Sequence, residues 1–334
     1  MRLRIPRKLC KGDCIGIIAP GSPASSPEKI ERGVRYIESL GYTVMIGKSV
    51  EQLAPTDDAA ERTARGYLAA SDAVRAIDLM QMFSNKQVRA IFCTRGGYGT
   101  PRLLPLLNYA SIRNHYKIFV GYSDVTALQL AFLSKCRMLS FAGPMVAVEM
   151  QANMDAFTEA HFWETLTEPK KEWSFSLPEK TSLQMLSSKR KMETPHAKES
   201  VQHALGHLIG GNLAMLTSML GTTYFPQVAG PVLFLEDVGE KIYRIDRMFA
   251  QLRNAGVLRE ASAILLGSFT EMMKDEPSLS LEEVMRDYFA HLAQPVIAGF
   301  PFGHASPKVT LPIGAMTRVD ANTLTVSVQG KVVQ

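Results

Sequence analysis

Lys117 to Phe132 reads KIFVGYSDVTALQLAF, an apolar strand pattern that becomes a helical pattern at one serine. Lys117 to Tyr122 has the composition of a short buried strand, and Val125, Leu128, Ala131 and Phe132 recur at the spacing of one helix face. The turn between them is one or two residues long. A serine on such a corner stands at the end of a sheet beside helix N-terminal amides, the way α/β hydrolases present a nucleophile. It is also the ordinary place for an N-cap serine, so these residues alone leave both roles open for Ser123.

Upstream, the same alternation repeats. Cys14 to Ala19 is an apolar run closed by Pro20-Gly21-Ser22-Pro23. A helix follows with Ser26 at its N-cap, Pro27 at its first position, Ile30, Val34 and Ile37 on one face and Gly41 as its stop. Val44 to Ile46 reads as a second strand, Ser71 caps a helix whose apolar side is Val74, Ile77 and Met80, and Val88 to Cys93 is a third strand. The turn Gly96-Gly97-Tyr98-Gly99 comes next. Strand and helix in alternation imply a parallel sheet covered on both faces, with ligands beyond the carboxyl ends of its strands. The Gly-rich turn and Ser123 should therefore share one edge.

A helix is expected over Met154 to Leu166, after which the composition changes. Residues 168–203 carry Lys170, Lys171, Lys180, the run Lys189-Arg190-Lys191 and Lys198 with weak periodicity, a basic connector with one or two strands at most. The second half opens at Gly206 to Leu213 and alternates again. Val232 to Leu235 is a strand, Ile245, Phe249 and Leu252 mark a helix, Ala263 to Leu266 a strand, and Ser280 with Glu283 a capping box. Pro295 to Ala298 and Leu324 to Gln329 supply further strands. The expected division is a domain over 1–167, the connector over 168–203 and a second domain over 204–334.

Composition narrows the function classes. A chain of 334 residues with 46% hydrophobic content can bury a sizeable core, and a net charge of +5 without a basic–aromatic tract argues against nucleic acid. No run has signal-peptide or membrane-spanning length, so a cytoplasmic protein is expected. Cys10, Cys14, Cys93 and Cys136 are too few and too irregular for a disulfide framework, and no second pair accompanies Cys10 and Cys14, so no metal site is expected.

Two more stretches put polar residues just after buried strands: Glu236 in Phe234-Leu235-Glu236-Asp237-Val238-Gly239-Glu240, and His304 in Gly299-Phe300-Pro301-Phe302-Gly303-His304. A serine needs a base, and the imidazolium that results needs a carboxylate. Ser123, Glu236 and His304 supply the three parts in the chain order that α/β hydrolases show. Glu236 is equally suited to cap the next turn or pair with Arg244, and His304 to act as a surface hydrogen bonder; order alone does not choose.

The set Arg95-Gly96-Gly97-Tyr98-Gly99, Gly121-Tyr122-Ser123-Asp124, Gly210-Gly211-Asn212-Leu213, Leu235 to Glu240 with Tyr243 and Asp246-Arg247, and Gly303-His304 followed by Leu311-Pro312-Ile313-Gly314 resembles the LD-carboxypeptidase family of serine peptidases. The likeness spans nearly the whole chain and weakens between about Met150 and His203. It implies an N-terminal nucleotide-binding-like α/β domain carrying Ser123 as nucleophile. It also implies a C-terminal mixed α/β, swivelling-barrel-like domain carrying Glu236 and the base His304, with the active site at the interface. The oxyanion donors implied are the backbone amides of Gly97 and Asp124, with Gly96 as a substitute. Arg95, Tyr98, Asn212 and Glu240 are the implied substrate contacts. The implied activity is removal of the terminal D-alanine from murein tetrapeptides, without a cofactor, in cell-wall recycling and as a homodimer. A microcin-immunity branch of the same family acts on peptidyl nucleotides. A loop aromatic free to stack on adenine would favour that branch, and Trp173 is the candidate. A non-catalytic binding protein on this scaffold would be expected to lack part of the triad.

Overall fold

The computed structural model describes residues 3–51, 66–187, 203–274 and 276–334. Among the described residues, fourteen strands make two sheets. The first contains β1 (Cys14–Ile18), β2 (Thr43–Ile46), β3 (Val88–Cys93), β4 (Ile118–Val120) and β5 (Ser140–Ala142). The second contains β6 (Glu172–Ser174), β7 (Gln184–Met185), β8 (His203–Asn212), β9 (Val232–Val238), β10 (Ala263–Thr270) and β11 (Val296–Ala298). With them lie β13 (Met316–Asp320) and β14 (Thr325–Gln329). The strand β12 (Leu311–Ile313) leaves the second half of the chain and completes the first sheet.

The first sheet runs β12-β5-β4-β3-β1-β2. Its strands β1 to β5 are parallel, as the alternating pattern required, and β12 adds antiparallel to β5 with Leu311 opposite Ala142. The second sheet is mixed, in the order β6-β14-β13-β8-β9-β10-β11-β7. The long β8 is its pivot, parallel to β9 on one side and antiparallel to β13 on the other. The two-domain α/β expectation holds. The described part of the connector lies at the margins of the second sheet, with β6 at one edge and β7 at the other. Lys189-Arg190-Lys191 and Lys198 lie outside the described residues.

Helix signals act locally. Ser71 accepts from the Val74 amide, and Ser280 and Glu283 close the capping box. Ser26 occupies its N-cap position without a side-chain cap bond, and Pro27 opens that helix. The helix Asp72–Ser84 departs from its apolar stripe: Ile77 is exposed, whereas Arg75 and Asp78 are buried. Specific polar partners outweigh hydrophobic spacing here. Arg75 donates to the carbonyls of Ala70, Pro20 and Gly99, and Asp78 accepts from the amides of Lys48 and Ser49, at the start of the short helix Lys48–Glu51 earlier in the chain.

The helix Thr126–Cys136 is buried on nearly every side, not only along the face that spacing suggested. It fills the seam between the sheets. Thr126 accepts from the Asn212 amide at 3.2 Å, so the end of β8 sits on the first turn of this helix. Gly211 permits that approach: it has φ +132°, and a Cβ there would lie 2.7 Å from the Thr126 methyl. Gln129 donates to the carbonyls of Gly121 and Phe141, both at 2.9 Å, fixing the ends of β4 and β5.

A second seam contact involves His161. Its Nδ1 accepts from the Thr310 amide at 3.2 Å, its ring stacks on Phe175, and burial pushes its pKa down to about 4. The unfolded chain takes up this proton below about pH 6.5, whereas the folded protein resists it until about pH 4. Stability from this residue is complete above pH 6.5 and falls as the pH drops toward 4. Urea titrations should therefore show the wild type losing about 2 kcal/mol more than His161→Gln between pH 7 and pH 4.5.

Candidate active site

Strand β4 ends at Val120, and Ser123 opens a short 3₁₀ turn, Ser123–Val125, that runs into the helix Thr126–Cys136. Ser123 has φ 64°, the left-handed region that a residue with a Cβ enters at a cost of about 1–2 kcal/mol. Strain of this kind persists where neighbours over-determine it. Here the neighbour is Asp124, which is buried and accepts from the Thr100 amide at 2.9 Å, while the Thr100 hydroxyl donates back to the Asp124 carbonyl. Burial raises the Asp124 pKa, and its bonds from Thr100 oppose that shift. The serine corner and the Gly-rich turn are thus joined at their bases.

That turn lies against Ser123. A Cβ on Gly96 would sit 2.8 Å from the Ser123 Cβ, 2.9 Å from its hydroxyl oxygen and 3.1 Å from the Asp124 amide nitrogen. Only glycine leaves this space. The Gly96 carbonyl accepts from the Ser22 amide, and the Ser22 hydroxyl accepts from the Tyr98 amide at 3.1 Å, which holds the turn on the segment after β1.

The other two residues arrive from strand β9 of the second sheet and from the loop between β11 and β12. Glu236 lies inside β9, opposite Asn212 of β8, and is almost fully buried. Its Oε2 is 2.7 Å from His304 Nδ1, which directs Nε2 away from the carboxylate. The His304 ring meets the edge of Tyr122 with ring centroids 5.0 Å apart. Ser123, His304, Tyr122, Arg95, Gly96 and Gly97 line one cleft of about 290 Å³. Among the described residues no hydrogen bond joins Ser123 to His304; catalytic contacts of this type commonly close only around substrate.

Not every residue singled out by sequence reaches this cleft. Asn212 is buried, caps the helix Leu213–Ser218, and donates to Asp237 at 2.9 Å. Asp237, whose pKa burial pushes up to about 6, also accepts from the Val238 and Ala214 amides. Glu240 faces Arg244 at 3.4 Å. Tyr98 is exposed beside Tyr67, and Arg95 reaches the Pro23 carbonyl at 3.4 Å from the cleft wall. Lys29 lines the cleft and was missed; its place on the first turn of the helix after β1, at the ligand-bearing edge of the sheet, was the available signal. With Arg95 it gives the cleft a cationic wall that contains no carboxylate among its described lining. A larger concavity of about 800 Å³, lined by Arg4, Arg137, His207 and Lys331, contains no member of the Ser–His–Glu set. Among the described residues no cluster of His, Cys, Asp or Glu could hold a metal ion, and no helix is long and apolar enough to cross a membrane.

A strained serine at a strand end, an imidazole and a buried carboxylate, brought together from two α/β sheets, define a serine hydrolase of two-domain architecture. Residues 15–143 match the LD-carboxypeptidase N-terminal domain and residues 205–319 the LD-carboxypeptidase C-terminal domain, and the chain belongs to the LD-carboxypeptidase family, a class of serine carboxypeptidases. It is 36% identical to the probable murein peptide carboxypeptidase of Bacillus subtilis over 98% of this chain and 95% of that protein. It is 31% identical to the murein tetrapeptide carboxypeptidase of Pseudomonas aeruginosa over 93% of this chain and 94% of that protein. Among solved structures, muramoyltetrapeptide carboxypeptidase from Oxalobacter formigenes matches with TM-score 0.75 and 31% identity over 94% of this chain and 97% of that one. A mutant of the microcin C7 self-immunity protein MccF in complex with adenosine monophosphate matches with TM-score 0.84 and 26% identity over 99% and 100%.

The packing of Gly96 on Ser123 gives a direct test. Gly96→Ala should lower turnover by at least about 100-fold through displacement of the hydroxyl, while circular dichroism remains that of the wild type.

Proposed function

We propose that this chain removes the terminal D-alanine from murein tetrapeptides, cleaving the bond it makes to the L-centre of a diamino acid. The observation that carries the reading is the His304–Glu236 hydrogen bond of 2.7 Å opening on the same cleft as the strained Ser123. In this reading His304 takes the Ser123 proton as the oxygen attacks the carbonyl carbon. The developing oxyanion is held by the amides of Gly97 and Asp124, each worth roughly 3 kcal/mol. Collapse breaks the C–N bond, His304 returns the proton to the departing D-alanine nitrogen, and water then hydrolyses the ester by the same route. Glu236 orients the ring and offsets its positive charge.

A carboxypeptidase must recognise a free carboxylate, and Arg95 with Lys29 supplies cationic donors beside Ser123. Tyr98, Asn212 and Glu240 remain proposed contacts of lower rank: Asn212 and Glu240 have protein partners, and Tyr98 is turned toward Tyr67. The names of the relatives support murein peptides as the substrate class. Cytoplasmic recycling of wall fragments and a homodimer complete the proposal.

Cleavage of a peptidyl nucleotide is the second reading, favoured by the match to MccF. Against it, Trp173 is packed on His161 and Phe175 and pairs with Val328 across the sheet edge, and residues 188–202 contain no Phe, Tyr or Trp. Release of D-alanine from a murein tetrapeptide, assayed beside a peptidyl-adenylate analogue, separates the two. Activity on the tetrapeptide that vanishes in Ser123→Ala supports the first reading; activity on the adenylate alone transfers the chain to the second. Arg95→Leu should raise KM for the tetrapeptide at least tenfold and change kcat less, since a contact to the non-reacting carboxylate acts on ground and transition states alike.

A further inference from the structure

Linked to the His304 ring through Tyr122 is a buried ionic cluster that the chemistry above does not use. Glu149, from the first half of the chain, accepts from the Tyr122 phenol at 2.7 Å and from the Met145 amide at 2.9 Å. Lys308, four residues beyond His304, places its ammonium 2.7 Å from the same Glu149 oxygen and 4.4 Å above the centre of the Tyr122 ring. The two charged side chains are only 5% and 14% exposed. The Lys308 amide also donates to Thr158 at 2.9 Å. A cavity of about 20 Å³ is lined by Tyr122 and Lys308 of this cluster together with Glu236 and Gly303.

These contacts have a direction. Tyr122 immediately precedes the serine, and its ring edge meets His304. Lys308 lies on the loop that carries His304 and grips a carboxylate of the opposite domain. One cluster therefore bears on both sides of the distance that must be right for proton transfer. Apolar packing alone tolerates sliding, whereas an ammonium that meets a carboxylate oxygen and a ring face together has one seat.

We propose that Lys308 and Glu149 are positioning residues: their buried ion pair clamps the His304 loop onto the Ser123 domain and, through Tyr122, sets the imidazole against the nucleophile. The proposal rests on the reading of Ser123 and His304 as nucleophile and base. It assigns the pair a role in kcat beyond its effect on stability. A buried pair replaced by apolar side chains of similar size often keeps or gains stability, whereas loss of one partner strands a charge. The double variant therefore separates a clamp from a structural brace.

The test measures melting temperature, kcat and KM for D-alanine release, and the rate of covalent labelling by a fluorophosphonate. The proteins are the wild type, Ser123→Ala, Lys308→Met, Glu149→Gln, Lys308→Arg and the double variant Glu149→Gln/Lys308→Met. Each single neutral variant should lose about 30-fold or more in kcat and in labelling rate, with KM within about threefold. Lys308→Arg should recover part of the loss. The double variant should melt close to the wild type yet remain at least tenfold slow. Recovery of kcat together with melting temperature in the double variant, or wild-type kcat in the single variants, would overturn the proposal. Activity and labelling retained in Ser123→Ala would overturn the underlying reading instead, and the fluorophosphonate makes that distinction whatever the peptide substrate.

Discussion

The interaction on which this site depends is the seating of the second sheet on the helix Thr126–Cys136. Ser123 stands just before that helix, Glu236 stands on the other sheet and His304 on the loop between β11 and β12, and no covalent neighbour brings them together. The Thr126–Asn212 contact and the close approach at Gly211 fix the end of β8, and β8 in turn sets the register of β9 and hence of Glu236. A shift of about 1 Å at this seam would change the approach of hydroxyl to imidazole by more than the spread of distances a hydrogen bond tolerates. The strand β12 ties the two halves further by crossing into the first sheet.

The polar residues near the site divide into two kinds. Some face the cleft and can meet a substrate: Ser123, His304, Arg95 and Lys29. Others are spent on holding backbone in place, as Asp124 does for the Gly-rich turn and Asn212 with Asp237 for the end of β8. Both kinds occur in the motifs that carry the family likeness. A motif thus marks the constraint without saying whether it bears on substrate or on scaffold.

Much of the fold was legible because its causes are local. Apolar runs closed by Gly and Pro, the cap at Ser71 and the capping box at Ser280 each act within a few residues. The errors arose where a distant partner overrode the local rule. Ile77 lies outside and Arg75 inside because the carbonyls of Pro20 and Gly99 are offered only by the folded chain. The connector holds β6 and β7, within the one or two strands expected of it, but their positions were not legible because edge strands two or three residues long are defined by the sheet they join. Lys29 escaped notice because a lysine on an amphipathic helix looks like any solvated charge until the opposite wall of the cleft is present.

By itself the sequence determined the alternation of strand and helix, the corner at which Ser123 stands, and the chemical types available for a serine hydrolase, because turn chemistry and hydrophobic spacing act over short distances. Only the tertiary structure decided that His304 meets Glu236 at 2.7 Å, that His304 faces the cleft of Ser123 while Glu236 is buried, and that Asn212 bonds to Asp237. These depend on the packing of two sheets against one buried helix, and the free energy of that packing is shared among residues from the whole chain.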